Sequence, residues 1–130
     1  MQRVVLYPPR EEAVGLVRWH VTHFLVWRGL HQRYLLDDVL LVVSELFANA
    51  VRHAEHQGQP IPVALELRED VLRIEVHDPD PTLPVPNLDI DLDATSGRGL
   101  LVVASLAKQW GAVPRPDGGK VVFAEIAPYA

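Results

Sequence analysis

Two runs that alternate with period two, IPVALELR (61–68) and VLRIEVHD (71–78), stand on either side of the polar pair Glu69 and Asp70. Alternation at period two sends successive side chains to opposite faces of a strand, and a short polar break between two such runs makes a β-hairpin. A second hairpin is expected in AVPRPDGGKVVFAEI (112–126), turning at Asp117 and Gly118, and RVVLY (3–7) reads as a short strand closed by Pro8 and Pro9. Hairpins commit the chain to a largely antiparallel sheet, which buries one face under helices.

The helices are legible too. REEAVGLVRWHVTHFLVWRG (10–29) carries acids in its first turn and ends at Gly29. A second helix is expected over about Asp37–Ala54. GRGLLVVASLAKQWG (97–111) reads as a third, with Gly111 just past its end. Between Pro79 and Ser96 the sequence is rich in Pro and Asp without periodicity, which predicts a long loop, and loops of that length in compact domains are usually functional or mobile. With 130 residues and no repeat or internal linker, the whole of 1–130 is expected to form a single domain.

Charge and composition remove several function classes. A net charge of −5 gives no electrostatic reason to bind nucleic acid or an anionic membrane. The absence of cysteine excludes disulfides, thiolate nucleophiles and cysteine zinc sites. No apolar run reaches the ~18 residues of a membrane span, and the amino terminus lacks the apolar stretch of a secretory signal, so a cytoplasmic protein is expected.

Three features then suggest chemistry. In SELFANAVRHA (44–54), Glu45, Asn49 and His53 recur every fourth residue and so form a stripe on one helix face. Alone, the stripe is the solvated side of an amphipathic helix. However, Leu41 and Val42 intrude among its polar positions, and Asn is a poor interior helix residue, which together suggest the wall of a site. Asp78 shares the parity of Leu72, Ile74 and Val76, so its carboxylate points to the core face. It either opens a turn with Pro79 or receives a donor such as the exocyclic amino group of a base. In TSGRGL (95–100), Gly97 and Gly99 open a helix that Thr95 or Ser96 could cap. The junction is either an ordinary one or an anion site, with free N–H groups and Arg98 adding charge.

In this order, SELFANAVRHA, VHD at a strand end, SGRGLLVV at a helix start and the late WGAVPRPDGGKVVFAEI resemble the histidine-kinase-like ATPase superfamily. Within it the chain is most similar to the anti-sigma-factor serine kinases and their stand-alone actinobacterial relatives. The resemblance implies a two-layer α/β sandwich of the Bergerat type, a mixed, mostly antiparallel sheet with three helices on one face. It implies Glu45 as catalytic base, Asn49 as ligand of Mg²⁺, and Asp78 as the adenine-binding aspartate. It further implies Gly97 and Gly99 as the phosphate loop, with His53, Arg98 and Leu100 beside the nucleotide. The pattern has glycines two and four residues after its aspartate, where this chain has Asp80 and Thr82 in DPDPT. Asp80 adds negative charge near a polyphosphate, which weakens binding. NLDIDLDAT (87–95) corresponds to the lid and carries no phosphate-binding lysine.

The implied function is an ATP-dependent serine kinase acting on an anti-anti-sigma protein and sequestering a sigma factor. A nucleotide-binding module that sequesters its partner without phosphoryl transfer is the alternative. Trp19, Phe24 and Trp27 are expected in the core or on a homodimer surface. The six histidines mark no zinc site, His53 is not a phosphoacceptor, and Lys120 reads as a solvated hairpin residue.

Overall fold

The structure, a computed structural model, describes residues 2–54, 58–81 and 95–129. Five strands, β1 (Gln2–Tyr7), β2 (Ile61–Arg68), β3 (Val71–Asp78), β4 (Gln109–Pro114) and β5 (Lys120–Ile126), form one sheet in the order β1-β2-β3-β5-β4. Among the described residues every strand pairing is antiparallel. The β2–β3 turn falls on Glu69 and Asp70 as the alternation requires, with Glu69 at φ 51°.

Helices α1 (Val14–Trp27), α2 (Leu36–Ala54) and α3 (Thr95–Leu106) form the second layer. A short 3₁₀ turn at Glu11–Ala13 precedes α1, so the acids of that segment lie ahead of the α-helix. Gly29 takes φ +69°, a left-handed conformation that favours glycine, and ends the helix one residue after the α1 C-cap at Arg28. The third helix ends earlier than its sequence suggests. Trp110 and Gly111 belong to β4, because pairing of Trp110 with Ala124 and of Gly111 with Phe123 takes them into the sheet.

Strand parity decides the core. Ile61, Val63 and Leu65 of β2, Leu72, Ile74 and Val76 of β3, and Val122, Ala124 and Ile126 of β5 are all buried on the helix side. Val39, Val43, Leu46, Phe47, Ala50 and Val51 of α2 meet them as the predicted apolar arc. Val42 is buried with that arc, whereas Leu41 is exposed. The aromatic residues of α1 divide: Phe24 is in the core, while Trp19 is 56 % and Trp27 81 % exposed. Arg18 ties α1 to α2 by donating to Ser44 Oγ at 2.9 Å. Among the described residues, no helix is long and apolar enough to cross a membrane.

Candidate functional site

The stripe of α2 runs along the boundary between core and solvent. Its apolar arc is fixed against the sheet, so the next positions round the helix, Glu45 and Asn49, are left half-buried, and His53 is exposed at 39 % of its side chain. Near the carboxyl end of α2 lies the end of β3, where Asp78 continues the inward series at 2 % exposure. A carboxylate so placed needs donors, and it has them. His53 Nδ1 donates to Asp78 Oδ2 at 2.8 Å, and the backbone N–H of Asp80 donates to Asp78 Oδ1 at 2.8 Å.

A third partner comes from a residue expected to be solvated. Lys120 is only 2 % exposed, its Nζ stands 3.6 Å from Asp78 Oδ2, and it donates to the Asp80 carbonyl at 2.7 Å. The parity that turned Asp78 inward applies equally to Lys120, Val122, Ala124 and Ile126 in β5, and the register pairs Asp78 directly with Lys120. The signal was therefore in the sequence. His53 Nε2 also lies 3.5 Å from Asp80 Oδ2, so two carboxylates, an imidazole and an ammonium converge at this end of the sheet.

Glycine makes two close approaches possible. A Cβ on Gly99 would stand 2.6 Å from Glu45 Oε2, so the second turn of α3 meets the α2 carboxylate only because position 99 has no side chain. A Cβ on Gly119 would stand 2.6 Å from the Asp78 carbonyl oxygen and 3.3 Å from Pro79 Cα, so glycine lets β5 draw up to the Asp-Pro turn. A cavity of about 240 Å³ opens there, lined by Ala54, Asp78, Pro79, Arg115 and Gly119 among others.

Asn49 Oδ1 accepts a hydrogen bond from Arg52 Nη1 at 2.8 Å, a local i, i+3 contact that the stripe did not suggest. Helix α3 already includes Thr95, so Gly97 and Arg98 lie in its first turn, and Leu100 is buried behind Gly99. The side chain of Arg98 and the segment 87–94 lie outside the described residues. On the opposite face from Asp78, His77 accepts from Arg115 Nη1 at 3.0 Å, and burial followed by the Arg115 charge pulls its pKa below the usual imidazole range. Among the described residues, no group of three or more His, Asp or Glu side chains could hold a metal ion.

The site thus offers a half-buried carboxylate against bare helix backbone, an amide oxygen one turn along, and a buried carboxylate beside a cavity. Carboxylate and amide oxygens suit a hard cation, and backbone N–H groups of an opening helix turn suit phosphate. A comparison with curated proteins found no match. The family model described as the histidine kinase-like ATPase domain matches residues 7–125. That span runs from the last residue of β1 into β5, and takes in Glu45, Asn49, Asp78, Gly99 and Lys120. The chain belongs to the histidine kinase-like ATPase domain family.

Proposed function

We propose that this ATPase-family domain is an ATP-dependent protein serine kinase and anti-sigma regulatory factor. It phosphorylates an anti-anti-sigma partner and sequesters a sigma factor or similar regulator in the cytoplasm. The observation that carries the reading is the approach of Glu45 to Gly99, which brings a proton acceptor up to side-chain-free backbone near the start of a helix. Asp78 takes the adenine amino group, Gly97, Arg98, Gly99 and Leu100 take the phosphates, and Asn49 would supply an oxygen to Mg²⁺, whose chemistry when bound would be to neutralise phosphate charge. Glu45 accepts the proton of the serine hydroxyl as its oxygen attacks the γ-phosphorus and the bond to the departing ADP breaks. The N–H groups of the first turn of α3 offset the charge that develops.

A second reading, a nucleotide-binding module that sequesters its partner without phosphoryl transfer, has its own support. Arg52 occupies Asn49 Oδ1 and His53 occupies Asp78 Oδ2, so two proposed ligand acceptors already hold internal donors.

The two separate in one experiment. Wild type, Glu45→Ala and Asn49→Ala are incubated with labelled ATP and candidate serine-bearing partners, and bound nucleotide and transferred phosphate are counted. Glu45→Ala keeps ATP binding and loses transfer by ~10²–10⁴-fold, the usual range for a general base. Asn49→Ala loses Mg²⁺-dependent affinity as well. A wild type that binds ATP but transfers none, with Glu45→Ala indistinguishable from it, replaces the kinase by the binding module.

A further inference from the structure

We infer that Lys120 is the positioning residue that makes Asp78 discriminate between purine bases. The inference rests on the proposed binding of adenine at Asp78. It is carried by a closed circuit on the inner face of the sheet. The Asp80 N–H donates to Asp78 Oδ1 at 2.8 Å, the Asp80 carbonyl accepts from Lys120 Nζ at 2.7 Å, and Lys120 Nζ lies 3.6 Å from Asp78 Oδ2. Both charged side chains are 2 % exposed, so water screens neither.

The circuit has two effects. It clamps the Asp-Pro-Asp turn from across the sheet, with Gly119 allowing β5 to come within reach of the Asp78 carbonyl. Asp80 stands where the resemblance calls for a glycine, and its carbonyl is held by an ammonium. It also sets the hydrogen-bonding character of Asp78. A carboxylate ion-paired to an ammonium has lone pairs and no proton to give, so it accepts from an amino group and repels a carbonyl. Adenine presents an amino group at its six-position, and hypoxanthine a carbonyl.

Without the ammonium, the Asp80 carbonyl loses its donor from across the sheet and the turn that carries Asp78 is no longer clamped. The carboxylate is then no longer held where it accepts from an amino group and turns away a carbonyl, and the preference for the amino base falls. His53 on Oδ2 and the Asp80 N–H on Oδ1 remain in the variant and keep Asp78 satisfied, so what it loses is the fixed placement that tells an amino group from a carbonyl.

The experiment compares ATP with inosine triphosphate by calorimetry, on wild type and on Lys120→Met, which keeps length and removes charge. Wild type is expected to prefer ATP by roughly tenfold to a hundredfold, the range for one charged hydrogen bond. Lys120→Met is expected to compress that preference to about threefold or less, chiefly by losing ATP affinity. A folded Lys120→Met with the wild-type ratio overturns the inference, even if both affinities fall together, because a merely structural lysine lowers both equally. A wild type without preference overturns the adenine reading itself. Should Lys120→Met fail to fold, the ammonium ¹⁵N signal of Lys120 in wild type decides: it moves further with ATP than with inosine triphosphate, and equal movement overturns the inference.

Discussion

Gly99 and Gly119 would both bring a Cβ to 2.6 Å from an oxygen, but the oxygens differ in what they can do. Opposite Gly99 is the tip of the flexible Glu45 side chain, and opposite Gly119 is the backbone of Asp78. Gly99→Ala therefore keeps the fold and swings the carboxylate aside, with melting temperature nearly unchanged and phosphoryl transfer down by about tenfold or more. Gly119→Ala forces backbone apart and costs about 1–3 kcal/mol of stability, as overpacking does. Thermal melts of both variants beside the transfer assay check the contrast, and equal destabilisation by the two would refute it. Residues of this kind are only partly legible in sequence. Parity alone turns Asp78 inward, and the same parity in KVVFAEI turns Lys120 inward too, against its reading as a solvated hairpin residue. An ammonium is expected in water until its partner across the sheet is known, and that partner comes from another hairpin.

At the scale of elements, β1 and α1 are joined by a titratable contact. The Tyr7 hydroxyl donates to His20 Nδ1 at 2.8 Å, and burial pushes the Tyr7 phenol up to about 12. Burial first, then the nearby Arg3 and His23, pulls the His20 pKa down, which suits an imidazole that accepts. The sign follows from linkage. Between about pH 10 and 12 the unfolded chain has lost the tyrosine proton while the native chain keeps it, so stability falls as pH rises through that window. Tyr7 accounts for a loss of about 2–3 kcal/mol. Tyr7→Phe removes this share and leaves that of Tyr34, whose phenol burial also raises. Urea titrations at about pH 9 and about pH 11.5 should show the wild type losing more stability than the variant, and parallel losses would contradict the assignment. Element type and order were readable from periodicity and turn residues. Boundaries were less so: GRGLLVVASLAKQWG has apolar residues through the point where α3 stops and β4 begins, and only pairing with β5 draws Trp110 and Gly111 into a strand.

At the scale of the whole molecule, α1 presents an aromatic surface. Trp27 is 81 % exposed and Trp19 stacks on His23 at 3.8 Å between ring centres, leaving aromatic area in water on the helix layer. An exposed apolar patch on a small chain commonly marks an interface, and a homodimer through this face is the proposal. Light scattering at high concentration is expected to give twice the 14.5 kDa of one chain, and Trp27→Glu to return it to one. A wild type of single-chain mass rejects the dimer.

The strand order also dictates when the parts can exist. Strand β4 is made before β5, yet among the described residues the strand it pairs with is β5, which inserts between it and β3. Until the last strand arrives, β4 has nowhere to pair, and Asp78 waits for Lys120 across the stretch from 79 to 119. The β2–β3 hairpin closes locally, whereas β5 must close that long loop at an entropic cost that local pairing avoids. On a ribosome, the charged pair at the sheet's end is therefore assembled last, and a chain cut short before 120 would lose two strands rather than one.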